Sequence, residues 1–264
     1  MAAQTQKINK FLTDNVGRSE KLALLLDYDG TLAPISPHPD LAILPLETRE
    51  LLNKISNCKD IFCSFISGRQ ADNVKKLVGI PSFTYAGSHG FEIIHPDGTR
   101  YVHTVPKEDL DTMKNMEEEL KQRVTRNGAW VENKGKVITF HFRETPEEFR
   151  PALIKEAEEI IRSHGLHPTD ALCAIEVQPK VSWNKGYAGE YLLKNKFGED
   201  WNTKVKAIFI GDDISDEKLM ELCKGRVLTF RVSPLKNVKT ASDFQLMSLP
   251  EVVTVLRWVE SHYC

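Results

Sequence analysis

The chain has 264 residues, 41% of them hydrophobic and 27% charged, with 35 Lys and Arg against 37 Asp and Glu. This is an ordinary globular composition, long enough for one or two domains with a real core, so disorder, collagen and coiled coil are excluded as the main state. The net charge of −2 gives no bulk attraction to nucleic acid or to an anionic membrane.

Residues 1–20 are polar and lack the roughly 7–15-residue apolar stretch of a secretory signal. No later run approaches the ~18–20 apolar residues of a membrane span. Cys58, Cys63, Cys173, Cys223 and Cys264 are odd in number, far apart and without a C-x-x-C pair. They read as buried or incidental thiols of a reducing compartment, and the expectation is a soluble, cytoplasmic protein.

The first apolar run, Leu22–Leu26, stops at Asp27. A helical pattern covers Leu46–Ile55, a second run covers Ile61–Ile66 and stops at Ser67-Gly68-Arg69, and Ala71–Val78 is again helical. The character then changes. Residues 109–126 form a long charged helical stretch, whose Glu117-Glu118-Glu119 reads as a solvated face. Residues 130–132 and 137–143 look like strands joined by a turn at Lys134-Gly135. A helix follows from Thr145-Pro146-Glu147-Glu148 to about His164, with Thr145 as cap and Pro146 at the first helical position. Residues 172–177 alternate like a half-exposed strand. The earlier pattern then resumes: helix 186–195, an apolar run 205–210 ending at Gly211-Asp212-Asp213, helix 216–223 and a short run 226–232. Val252, Val255, Leu256 and Trp258 fall at helical spacing, as core contacts of a closing helix.

Runs apolar on both faces, alternating with helices, predict an α/β domain with a mostly parallel, Rossmann-like sheet over residues 1–105 and 180–264. The block 106–179 predicts an inserted α+β domain, an antiparallel sheet with helices on one face. The polar stops lie where strands end, which is where ligands bind in open α/β sheets.

Asp27-Tyr28-Asp29-Gly30-Thr31 places two carboxylates just past a buried strand. One can attack phosphorus, the other can move a proton, and together they offer oxygen ligands to a hard cation such as magnesium. In Gly211-Asp212-Asp213-Ile214-Ser215-Asp216, Asp212 can bind that same cation and Asp216 can face back from the first helical turn. Ser67 and nearby backbone N–H groups can hold a phosphate oxygen, and Lys185 can neutralise charge on a phosphoryl group. In the insert, Glu132, Lys134, Arg143, Glu176 and Lys180 alternate acids and bases, a set suited to a polyhydroxyl ligand. Read alone, His89 and His141 look structural.

The order Asp-x-Asp, Ser, Lys, Asp-Asp resembles the four motifs of the haloacid dehalogenase superfamily, matched by Asp27, Asp29, Ser67, Lys185, Asp212 and Asp216. Ser67-Gly68-Arg69, Gly87-Ser88-His89-Gly90, Val131-Glu132-Asn133-Lys134, Glu176-Val177-Gln178-Pro179-Lys180, Asn184-Lys185-Gly186 and Gly211-Asp212-Asp213 narrow this to a resemblance to the trehalose-6-phosphate phosphatases. The resemblance implies a haloacid dehalogenase core with a cap domain. It also implies a magnesium-dependent phosphatase of trehalose 6-phosphate acting through an aspartyl-phosphate. Asp27 would be the nucleophile and Asp29 the general acid and base, with Ser67 and Lys185 completing the phosphoryl clamp. Asp27, the Asp29 carbonyl and Asp212 would hold Mg2+, with Asp216 behind them. Arg69, His89, Glu132, Lys134, Arg143, Glu176 and Lys180 would meet the substrate. A trehalose-phosphate synthase is a conceivable partner. The alternatives are a phosphatase of another sugar phosphate such as sucrose phosphate, a sugar phosphomutase, or a non-catalytic sugar-phosphate sensor.

Overall fold

The computed structural model describes residues 2–17, 19–36 and 41–264. Of the polar N-terminal stretch, Met1 and Arg18 lie outside the described residues. In chain order the elements are α1 (Ala2–Asn15), β1 (Leu22–Leu26), α2 (Leu46–Ile55), β2 (Ile61–Ile66), α3 (Ala71–Val78), β3 (Thr84–Gly87), β4 (Glu92–Ile94) and β5 (Arg100–Val102). Then come α4 (Lys107–Arg123), β6 (Trp130–Asn133), β7 (Ile138–His141), α5 (Arg150–Ser163), β8 (Thr169–Ala171) and β9 (Ala174–Val177). The chain closes with α6 (Lys185–Phe197), α7 (Trp201–Lys204), β10 (Lys206–Gly211), α8 (Ile214–Leu222), β11 (Leu228–Val232), β12 (Phe244–Leu246) and α9 (Leu249–Tyr263). It falls into two compact units, Met1–Tyr101 with Trp183–Cys264, and Val102–Ser182.

In the first unit the strand order is β12-β11-β10-β1-β2-β3-β4-β5. The pairs from β12 to β3 are parallel, and β4 turns back antiparallel on β3. The central strands are apolar throughout because both faces are covered. Leu22, Leu24 and Leu26 of β1 join Ile208 and Ile210 of β10 in one core, with residues of α1, α2, α3 and α9. Ala23 and Leu25 join Ala207 and Phe209 in the opposite core, with residues of α6 and α8. Val252, Val255, Leu256 and Trp258 of α9 are buried, as their spacing predicts.

The second unit is a four-stranded antiparallel sheet, ordered β6-β7-β9-β8. One face carries Val131, Ile138, Phe140, Ile175 and Val177, packed against α4 and α5. The residues between them, Trp130, Glu132, Thr139, His141 and Glu176, share the other face through the ladder.

The structure corrects three expectations. Thr145 caps nothing: α5 begins at Arg150 with Pro151 in its first turn, and the Thr145 hydroxyl is buried without a hydrogen-bond partner among the described residues. Glu117 is not solvated. It lies on the same stripe of α4 as Met113 and Leu120, and takes hydrogen bonds from Lys121 and Asn133 at 2.6 Å each. The cysteines are not all free thiols, because Cys58 and Cys264 form a disulfide across a sequence separation of 206. The packing of α9 against α2 brings the chain's last residue beside the turn that follows α2. Disulfides persist in oxidising surroundings, so cysteine usage no longer argues for a reducing compartment. Among the described residues, no helix is long and apolar enough to cross a membrane.

Candidate active site

Asp27 follows the last residue of β1, Ser67 follows β2, and Asp212 follows β10. These three strands are adjacent and parallel, so their carboxyl ends deliver all three side chains to one edge of the sheet. Two helices supply the rest from their first turns: Lys185 opens α6 and Asp216 lies in α8. Asn184 fixes where α6 starts, its side chain accepting from the N–H groups of Gly186 and Tyr187. Asp213 and Asp216 form a capping box that fixes the start of α8.

Lys185 Nζ donates to Asp27 Oδ1 and to Asp216 Oδ1, both at 2.8 Å. The three side chains are 3%, 6% and 0% exposed, so this triad is shut off from water. The other oxygen of Asp216 accepts from the backbone N–H groups of Asp212 and Asp213 at 3.0 and 2.9 Å. Asp212 stands beside Asp27, with Thr31 Oγ1 between them at 3.4 and 3.5 Å. Gly30 makes that approach possible. Its φ is +71°, and a Cβ there would come within 2.0 Å of Asp212 Oδ2.

Burial pushes the Asp27 carboxyl up to about 7, with Lys185 opposing and Asp216 adding to the rise. Burial and the Asp27 charge raise Asp212 well above the carboxylate range. Burial also works against the Lys185 ammonium, but Asp216 and Asp27 outweigh it and hold that group protonated. Three carboxylates, those of Asp27 and Asp216 buried and that of Asp212 half-buried, therefore share one ammonium, and the shortfall of positive charge suits a divalent cation. Oxygens of Asp27, Asp212 and Asp216 lie within 4.8 Å of one another. Hard oxygen donors of this kind suit magnesium. Asp216 already accepts three hydrogen bonds, from Lys185 and from the N–H groups of Asp212 and Asp213.

Asp29 points elsewhere. Its two oxygens accept from Arg69 Nε and Nη2 at 2.7 Å each, a bidentate pair. Arg69 also donates to Asn73 at 3.0 Å and lies over the Tyr28 ring. Thus Arg69, expected at the substrate, is engaged by the expected acid and base. Ser67 is buried, and its hydroxyl accepts from the Arg69 N–H at 3.1 Å. The buried His89 has a left-handed backbone, φ +58°, and its N–H donates to the Ser67 carbonyl at 2.9 Å. Asn73, Thr31 and the Tyr28 ring were not singled out by pattern. Only the Asp213-x-x-Asp216 spacing carried a readable signal for the capping box.

On the polar face of the second unit, His141 Nε2 meets Glu132 Oε2 at 2.8 Å and its ring stacks on Trp130. Lys134 Nζ lies 3.3 Å from Glu176 and 3.8 Å from Glu132. Glu132, Lys134 and Glu176 are thus brought together, with His141 as a structural partner. Arg143 donates to the Leu172 carbonyl at 2.9 Å. Lys180 folds over the α5–β8 turn, its Nζ 3.1 Å from where a Cβ of Gly165 would sit.

Residues 25–244 match a family model described as trehalose-phosphatase. A probable trehalose-phosphate phosphatase of Arabidopsis thaliana is 32% identical over 251 residues, 90% of this chain and 67% of that protein. A trehalose 6-phosphate phosphatase of Zea mays is 30% identical over 256 residues, 91% of this chain and 70% of that protein. Among solved structures, the C-terminal domain of trehalose-6-phosphate phosphatase from C. albicans superposes with a TM-score of 0.81. It is 20% identical, covering 96% of this chain and 97% of that domain, a likeness of fold.

Proposed function

The chain belongs to the trehalose-phosphatase family of phosphatases, and from that premise we propose that it hydrolyses trehalose 6-phosphate to trehalose and inorganic phosphate. The observation that carries this reading is the buried Lys185 bridging Asp27 and Asp216 beside Asp212, at the ends of adjacent parallel strands. A carboxylate fixed by an ammonium, with little water near it, is a nucleophile poised for an electrophilic phosphorus.

In the first step an Asp27 oxygen bonds to phosphorus as the bond from phosphorus to the sugar oxygen breaks, and Asp29 gives that oxygen its proton. In the second, Asp29 takes a proton from water as the water oxygen bonds to phosphorus, and the Asp27–phosphorus bond breaks. Both Asp29 oxygens accept from Arg69. Giving a proton in the first step requires Asp29 to part from Arg69. Lys185 offsets charge gathering on the phosphoryl oxygens, and the Ser67 hydroxyl and nearby N–H groups orient them. Asp27, Asp212 and the Asp29 carbonyl would hold magnesium, with Asp216 in support, and the bound ion would offset further phosphoryl charge. Glu132, Lys134 and Glu176 are assigned to the sugar hydroxyls, as carboxylates that accept and an ammonium that donates.

Phosphate release over a panel of trehalose 6-phosphate, sucrose phosphate, other sugar phosphates and an aryl phosphate tests this reading. Trehalose 6-phosphate should give the highest kcat/KM and equimolar trehalose and phosphate, and excess chelator should stop release until magnesium is restored. A preference for sucrose phosphate, transfer of the phosphoryl group back to sugar, or full activity in chelator would overturn the corresponding part.

A further inference from the structure

One buried ion pair takes no part in that chemistry. Arg231 Nη1 lies 3.3 Å from Glu217 Oε1, with the two side chains 11% and 14% exposed. The same nitrogen donates to the backbone carbonyl of Asp213. Arg231 stands opposite Gly211 in the β10–β11 ladder, so it faces the residue immediately before Asp212. Glu217 lies in the first turn of α8, and its other oxygen accepts the Ala241 N–H at 2.8 Å. The pair therefore joins three pieces: the Asp212–Asp213 bend, the start of α8 and the chain entering β12.

Burying two charges carries a desolvation cost that an apolar pair of similar size would avoid, so stability alone does not account for it. What the charges add is direction. Arg231 holds the Asp213 carbonyl from one side, while Asp216 holds the Asp212 and Asp213 N–H groups from the other. Gripped on both sides, the bend can keep the Asp212 carboxylate beside Asp27. Glu217 neutralises the guanidinium, so the pair places a firm contact there without a free positive charge to repel a cation. We propose that Arg231, held by Glu217, is a positioning residue for the cation site, aiming Asp212 through the Asp213 carbonyl. This rests on the magnesium reading of Asp27 and Asp212. Partners one step behind metal ligands typically set about 10- to 100-fold of metal affinity.

Mn2+ is the probe, with binding to the full chain followed by loss of the free-ion electron paramagnetic resonance signal. Arg231→Met should weaken Mn2+ binding by about 10- to 100-fold, with KM for the sugar phosphate changed by less than about twofold and kcat largely restored at saturating cation. Arg231→Lys should recover most of the affinity, since a single nitrogen makes both contacts. Glu217→Gln keeps the shape but leaves Arg231 uncompensated, so it should also weaken binding, and it decides the matter if Arg231→Met does not fold. Folded Arg231→Met or Glu217→Gln binding Mn2+ within about twofold of wild type would overturn the positioning role. Asp212→Asn separates the two levels. If it loses Mn2+ while the Arg231 variant does not, only the positioning role falls. If wild type binds no Mn2+, or Asp212→Asn binds it equally well, the metal reading falls too.

Discussion

Neither Asp27 nor Lys185 would hold its charge alone where it sits, since an isolated buried ion is costly and moves its pKa instead. Each is held toward its charged form by the other, and Asp216 adds to the hold on Lys185. The same field leaves Asp27 and Asp212 in need of more positive charge, which the proposed cation would supply. Recognition of the sugar is assigned to different side chains, so chemistry and specificity should separate under mutation. Glu132→Ala or Glu176→Ala removes an acceptor that a sugar hydroxyl would use. Hydrogen bonds to charged groups are worth about 1.5–3 kcal/mol, which is about 10- to 150-fold in kcat/KM on trehalose 6-phosphate. An aryl phosphate makes no such contact, and its slow hydrolysis should stay unchanged. Equal losses on both substrates would show that these residues support the fold, and no loss on either would leave the face as a solvated surface.

Among elements, legibility followed length and burial. Strands β1 and β2 and helices α2 and α3 span the residues that the pattern predicts, because continuous apolar runs and amphipathic stripes end there at polar stops. Helix α1 was not predicted, since Ile8 and Leu12 are its only buried residues and give too sparse a stripe. Strands β4 and β12 are three residues long, too short to show any period. The rule that places a proline at a helix start was sound at α5, but Pro151 rather than Pro146 fills it. In the site, Asp27, Asp29, Asp212 and Asp216 were readable from their place after apolar runs, and Lys185 from its place before a helix and in the order of the motifs. The Arg69–Asp29 pair and the Arg231–Glu217 pair were not, because each joins separate elements through the fold rather than through spacing. The element that matters most for the site is the first turn of α6, and Asn184 sets it. Asn184→Ala should cost about 1 kcal/mol, the usual effect of losing an N-cap. For a chain of this size that is roughly 2–4 °C in Tm by calorimetry. A larger fall in kcat than in stability would show that the cap also aims Lys185, and no change in either would contradict the capping role.

For the whole molecule, a sheet covered on both faces makes a rigid base, and loops and helix ends at its carboxyl edge carry the reactive groups. The Cys58–Cys264 bond ties the end of α9 to the turn after α2, closing most of the chain into one loop. Removing a disulfide of this kind typically costs 2–5 kcal/mol, roughly in proportion to the logarithm of loop length. Cys58→Ser should therefore lower the urea midpoint in oxidising buffer and leave it unchanged in strong reductant. Equal midpoints in oxidising buffer would mean that the bond adds no stability. The most direct test of the whole account is to identify the group that carries the phosphoryl in mid-turnover. Wild-type protein quenched during turnover of trehalose 6-phosphate and reduced with borohydride should show Asp27 converted to homoserine on peptide mapping. Asp27→Asn, run alongside, should show no such product and a loss of about 10^4-fold or more in kcat, the scale of removing a nucleophile. Homoserine formed from Asp29 instead, or phosphate released by Asp27→Asn at close to the wild-type rate, would contradict it.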